Sequence, residues 1–572
     1  MKFGLNLKVR LGACLLFMTA LCSLPLSSAS VPAFGADAPE TASESTKIVA
    51  TVTVNSLEEA WNGAEKIADA MQYKELLTGL RGLVRTQYES MIDNSQPIGA
   101  VVAIDGDSVA PFVFIPLKDM SAPPDLSKEP FKTLNAHGVK YFVDEDVLFI
   151  TPPELNKFVS SVPKESYLPA PSAEGVDTIV KATLNIDEVP GELFEAGASA
   201  LRQVFAELVE EGEIFDLQSV DNALAKYSEL VDSIQQLQWI LYVDPDSKLV
   251  AEITITVDPE SALAPVSKPE PTRWNAIAET PSAIFASAEA GANPTDFVQD
   301  VSEVYFRAIH DNLLNAFDVE FDNHEVYEAA EEILGHIEKA LVAEFQSTQY
   351  DSGFAVTSEP FSVAVASICA APDELQKAAD ALVRRLCDAD SLFEDMFEME
   401  EVEDYKVTSF KLNFDDLFDE DDFEDGAPLS FKGQTFVLKC GFSSDALVVI
   451  ATFDEAYAEE EFKRIVQNSK DLSPSKPEAT FDVAQFAVLV RKLLASYSDV
   501  NPVALEAVDV MANAKDAKIV LTDKSEGNVH RASVTFNRGF FEAYGEVTRL
   551  MMILGRGNND EGVDLDELFK DE

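Results

Sequence analysis

A chain of 572 residues with 43 basic and 101 acidic side chains carries a formal charge of −58. A surface this negative repels phosphate backbones, which excludes nucleic acid as an expected partner and disfavours anionic membranes; cations or a basic protein surface suit it better. Hydrophobic residues make up 47%, so the composition is that of a globular chain with material for several domains, not a disordered one.

In chain order, residues 1–35 read as a secretory signal. Lys2, Lys8 and Arg10 precede the apolar stretch LGACLLFMTALCSLPL, and the small residues of SSASVPAFGADA follow. Cleavage after Ala29 or after Gly35 satisfies the small-residue rule. Leu11-Gly12-Ala13-Cys14 imitates a lipoprotein acceptor, but no apolar segment precedes it. Residues 36–46 are expected to be a flexible N-terminal segment. Beyond the signal the longest apolar run, ALVVIATF at 446–453, is of strand length, short of the roughly 20 residues a spanning helix needs. The expectation is an exported protein, periplasmic or extracellular, with no transmembrane segment once the signal is removed. Cys14 and Cys22 leave with it, and Cys369, Cys387 and Cys440 remain, with no CxxC pair to suggest zinc.

The folded part reads as two copies of one plan. WILYVDPDSKLVAEITITVDPES (239–261) and KIVLTDKSEGNVHRASVTFNRGF (518–540) align at an offset of 279, with Asp244 on Asp523 and Ile253 on Ala532. Four further blocks match in the same order: 47–70 with 282–305, 96–104 with 359–367, 139–159 with 439–459, and 181–194 with 478–491. Strands alternate, as in AEITITVDP, where Ile253, Ile255 and Val257 share one face and Thr254 and Thr256 the other. A helix is expected over 193–211, where Leu193, Ala196, Ala200, Leu201, Val204 and Leu208 recur at about 3.6 residues. The fold class is therefore α+β: internally duplicated, antiparallel sheets with helices packed on one face. The first repeat is placed at 47–264 and a Pro-rich linker at 265–275. The second repeat runs over 276–554 with an acidic insertion at about 388–430, and an acidic tail occupies 555–572.

The layout resembles a broad family of exported bacterial proteins with a signal peptide, α+β organisation and no assigned activity. Gly99-Ala100-Val101-Val102-Ala103-Ile104-Asp105-Gly106, Phe112-Val113-Phe114-Ile115-Pro116-Leu117-Lys118-Asp119 and Leu184-Asn185-Ile186-Asp187-Glu188-Val189-Pro190 carry the resemblance, together with the closing hairpin. It covers most of the first half; the second half lacks a match to Pro116-Leu117-Lys118-Asp119. It implies export and fold, and no catalytic residue.

Motifs for chemistry are sparse. No GxSxG elbow and no HExxH occurs among the five histidines, His137, His310, His324, His336 and His530. His530 falls where its twin strand has Ala251, which reads as a surface position. The three helix-region histidines are fourteen and twelve residues apart, not the three or four that set metal ligands on one face; they would meet only if the helices form a hairpin at about Phe317–Asn323, and they read as solvent-exposed. The densest carboxylate run, Asp415 to Gly426, suggests weak calcium binding through Asp415, Asp419, Asp421 and Asp425. It fails the EF-hand register, with Phe423 in the third position and Lys432 in the twelfth. Phe414, Leu417, Phe418 and Phe423 interleave with these acids, a pattern suited to a basic, partly apolar partner surface. The function expected is an exported, acidic, non-enzymatic binding or scaffold protein of the cell envelope, with no cofactor beyond weak calcium. A hydrolase of unrecognised type and a weak calcium-binding module are the alternatives.

Overall fold

The computed structural model describes residues 46–87, 91–105, 108–118, 131–136, 138–189, 191, 233–260, 270–292, 324–347, 349–389, 391–414, 433–474, 476–495 and 502–557. They belong to two compact units, the first holding residues up to 64 and 76–189, the second 65–75 and everything from 190 onward. The helix expected over 193–211 lies outside the described residues.

The first unit contains β1 (Lys47–Val54), β2 (Ile98–Asp105), β3 (Ser108–Pro116), β4 (Tyr141–Asp144), β5 (Val147–Ile150) and β6 (Asp177–Asn185). All pair antiparallel in the order β6-β1-β2-β3-β5-β4, with Val52 opposite both Ala100 and Ala182, and Phe114 opposite both Gly99 and Phe149. Period-two alternation turns Val101, Ala103, Phe112, Phe114 and Phe149 to one side. There they pack against Leu155, Phe158, Val159 and Tyr167 from the segment after β5. The helices are α1 (Leu57–Ala70, whose last turns count with the second unit), α2 (Lys74–Gln87), α3 (Phe131–Ala136) and α4 (Asn156–Ser161).

Among the described residues the second unit forms a twelve-stranded antiparallel sheet. Its strands are β7 (Ile234–Val243), β8 (Leu249–Val257), β10 (Ala283–Ala292), β11 (Gln349–Ser358), β12 (Phe361–Ile368), β13 (Phe397–Val402), β14 (Tyr405–Asn413), β15 (Thr435–Phe442), β16 (Ala446–Thr452), β18 (Lys476–Asp482), β19 (Lys518–Glu526) and β20 (Val529–Phe536). Pairing runs β7-β8-β20-β19-β18-β10-β11-β12-β16-β15-β14-β13. Helices α5 (Asn275–Ala278), α6 (His324–Gln346), α7 (Pro372–Ala389), α8 (Glu455–Asn468), α9 (Val483–Ala495), α10 (Pro502–Ala512) and α11 (Arg538–Gly557) complete it. The central core brings Ala288, Ala355, Ala364, Val448 and Ile450 of the sheet against Trp274, Ile277, Phe462 and Ile465. The small strand residues let these large rings seat close to the backbone. No helix among the described residues is long and apolar enough to cross a membrane.

Three expectations are corrected. Residues 270–275 are not free linker: β9 (Pro271–Thr272) pairs with β17 (Ser473–Pro474), and Trp274 is fully buried with its Nε1 donating to the Asp351 carbonyl at 3.1 Å. Asp351 also accepts from Thr272 Oγ1 at 2.5 Å and from the Arg273 N–H at 3.0 Å, so a buried carboxylate holds the segment down. The second correction concerns 96–104. By pairing order β2 holds the place of β11, next to the first strand, while 359–367 is β12, the counterpart of β3. Alternating apolar strands resemble one another, so residue matching slips by a whole strand where pairing does not. The third concerns His530, which is buried rather than at the surface.

The first unit's order β6-β1-β2-β3-β5-β4 recurs in the second as β18-β10-β11-β12-β16-β15. The hairpins β7–β8 and β19–β20 meet through β8 and β20. Ile253 stands opposite Ala532, its match at offset 279, while Val250 opposite Thr535 and Thr256 opposite Val529 form the reciprocal pairs. Residue i facing j and j facing i is the register of an isologous, two-fold contact.

Candidate functional site: the acidic edge hairpin

The insertion reaches the sheet as a hairpin. After α7 and a short 3-10 turn, β13 and β14 pair across the two-residue turn Glu403-Asp404, with Glu403 at φ 57°. A turn of this length makes Val402 and Tyr405 a mutually bonded pair. With period two, Glu400 and Glu398 also bond inward, so the N–H and C=O groups of Met399 and Glu401 point away from β14. Among the described residues β13 pairs with no strand but β14. Residues Glu398 to Glu401 are exposed, Met399 at 66%.

The inward-bonding acids are anchored. Lys439 is only 4% exposed as a residue, lies over the Phe462 ring and holds Glu400 at 2.7 Å and Glu459 at 2.8 Å. Hydrogen bonds from Lys439 and then Lys463 pull the Glu459 carboxyl down to about 2. Lys411 bridges Glu398 at 2.7 Å and Glu455 at 2.8 Å, and these bonds raise its pKa. Lys470 holds Glu403 at 2.8 Å. A strand edge pinned by three lysines is preorganised, and it leaves Met399 and Glu401 toward solvent. A polarisable thioether beside a carboxylate can receive a side chain with an apolar stem and a cationic head. Open backbone groups can receive an added strand.

Asp415, Asp419, Asp421 and Asp425 all lie outside the described residues, as do Leu417, Phe418, Phe423 and the tail from residue 558 on. Phe414 is described and packs on Phe453 with ring centroids 6.0 Å apart. Among the described residues no group of three or more histidine, cysteine or carboxylate side chains is placed to hold a metal ion. Cys369, Cys387 and Cys440 are free thiols, and burial pushes Cys440 up to about 11.

Two titratable clusters sit elsewhere in the second unit. His336 is half-buried rather than solvent-exposed; its Nδ1 meets Glu374 at 2.7 Å, and Lys377 bonds the other Glu374 oxygen at 2.5 Å. These bonds, Lys377 first, hold the Glu374 carboxyl at about 2. On β19–β20, Ser525 Oγ lies 2.8 Å from Nδ1 of His530, which is 7% exposed and stands opposite Ile255. That is a nucleophile-to-base distance, but the imidazole is sealed among strand side chains rather than presented in a cleft, so the pair knits the hairpin. Nearby, burial raises the Glu289 carboxyl to about 7, helped by repulsion from Asp523. The anchored hairpin and the Glu289–Asp523 pair escaped sequence reasoning because their partners are far apart in the chain. Alternation alone does place Lys439 inward, beside Val437 and Gly441.

No protein-family model matches the chain, and no curated protein or solved structure matches it either.

Proposed function

We propose that this is an exported, acidic, non-enzymatic binding protein of the cell envelope, and that the β13 edge docks a basic, partly apolar segment of a partner protein as an added strand. The observation that carries the reading is the pinned, exposed edge with the outward backbone groups of Met399 and Glu401. The wider charge balance supports it. Basic side chains such as Arg273, Lys411, Lys439, Arg464 and Lys470 are engaged by carboxylates within the fold. A chain with a net charge of −58 favours a cationic partner. The protein is further proposed to descend from an internal duplication, which the recurring strand order and the reciprocal β8–β20 register support.

A fluorescent peptide of alternating Lys and Val tests the docking by anisotropy with the full chain. Binding should weaken as salt rises. Met399→Pro, which removes an outward donor but no ladder bond, should abolish it, and Glu401→Lys should weaken it. Undiminished binding to the Met399→Pro protein, its fold verified by circular dichroism, would discard the edge as the docking site. The cation reading has its own test. A melting temperature that rises with calcium but not with magnesium or sodium at matched ionic strength would mark a specific site, and an equal rise with all three would mark relief of self-repulsion only.

A further inference from the structure

The second unit holds a cleft of about 380 Å³ that the docking edge does not use. The last turns of α1 with Gln72, the turn after α10, and the first turns of α11 form its walls. Asp69, Gln72, Lys515, Arg538, Glu542 and Glu546 supply its polar groups, and Val510, Ala514 and Ala543 its apolar wall. Two glycines of α11 set the walls at fixed separation. A Cβ on Gly539 would overlap the Lys515 carbonyl oxygen, and one on Gly545 would overlap the Met71 carbonyl oxygen. The site is thus shaped by backbone contacts and needs little ordering on binding.

Its charges are unevenly engaged. Glu542 accepts from Arg538 Nε at 2.8 Å, and Glu546 takes Arg549 at 2.7 Å and Gln72 at 2.9 Å. The Arg549 and Gln72 bonds hold the Glu546 carboxyl below the usual range. Asp69 is only loosely held, by Lys74 at 3.6 Å and Arg538 at 4.0 Å. Lys515, exposed, makes no ion pair with a described residue, although acids outnumber bases more than two to one. The cleft therefore offers one cation with no described ion-pair partner and one under-engaged carboxylate, with apolar surface beside them.

We infer that this cleft binds a small zwitterion of the α-amino acid class. The ligand's carboxylate meets the Lys515 ammonium beside the positive end of α11, its ammonium meets Asp69, and its side chain lies on Val510, Ala514 and Ala543. Each half alone would meet one site charge while facing a like charge at the other, and be bound poorly.

Titration calorimetry on the full chain decides the matter, with L-alanine, L-leucine and L-glutamate as probes and acetate and ethylammonium as the two halves. Leucine should bind most tightly and the halves at least tenfold more weakly, about the loss of one charge-assisted contact. Lys515→Ala and Asp69→Asn, both at exposed positions, should each weaken leucine binding by about tenfold with an unchanged melting curve. No heat from any of the three amino acids, acetate binding as well as leucine, or full affinity in Lys515→Ala would each overturn the assignment. None of these outcomes bears on peptide capture at β13.

Discussion

The hairpins β7–β8 and β19–β20 carry the same alternation and an aspartate at the same offset, yet the two aspartates do different work. In β7–β8 the strands close at Val243 and Leu249, so Asp244 lies in the turn, where its Oδ1 accepts the N–H groups of Asp246 at 2.9 Å and Lys248 at 2.8 Å. In β19–β20 pairing continues to Glu526 and Val529 around Gly527, at φ 61°. Asp523 is thereby drawn into the strand opposite Ala532, within electrostatic reach of Glu289. Shortening the turn by three residues converts a turn-forming carboxylate into a like-charge neighbour. A carboxylate at the same offset in two similar hairpins thus changes its role with the length of the turn beside it.

The largest expected effect tests the charge in the second hairpin. Glu289 has its carboxyl raised to about 7 from 4.5, first by burial and then by Asp523. The native state therefore holds an extra proton between those values, so stability falls as pH rises from about 4.5 to about 7 and stays reduced above. Glu289→Gln should stabilise the protein at pH 8 by on the order of 2 kcal/mol and match the parent near pH 4. Urea melts at both pH values read this directly, and equal stability at pH 8 would refute it. Asp523→Asn should recover the smaller part, because burial is the larger cause. In the first hairpin, Asp244→Ala removes an acceptor from two N–H groups. It should cost about 1–2 kcal/mol at neutral pH, read as a lowered urea midpoint. An unchanged midpoint would mean that Asp244 does not hold the turn.

Much of this architecture was legible in the chain. Alternation in AEITITVDP and RASVTF identifies the antiparallel strands, and apolar spacing identifies helices such as α8. What escaped has physical reasons. Trp274 follows a proline-rich stretch whose composition suggests a linker, while the buried Asp351 that anchors it lies far along the sequence. Glu289 and Asp523 meet only because β18 brings β10 and β19 into one sheet. The cleft depends on Gly539 and Gly545 approaching backbone elsewhere, a role that residue type alone does not disclose. The β13 segment stood in plain view as an acidic run, yet only the pairing order places it, among the described residues, at the end of the sheet.

His530 marks the boundary between these cases, because its burial was readable and was missed. In HRASVTF the residues His530, Ala532, Val534 and Phe536 alternate together, opposite Arg531, Ser533 and Thr535. A histidine in phase with Ala, Val and Phe belongs on the packed side. The alanine at the aligned position, Ala251, bears on residue type alone, whereas phase decides the side. A buried imidazole needs a partner, and Ser525 supplies one across the hairpin at 2.8 Å. Ser525→Ala should therefore cost about 1 kcal/mol by removing one neutral hydrogen bond. If the pair only knits the hairpin, the loss appears as a lowered urea midpoint and faster amide exchange in β19 and β20, with peptide binding at β13 unchanged. Unaltered exchange in both strands would mean the imidazole is satisfied by another group, and Ser525 would lose its structural role.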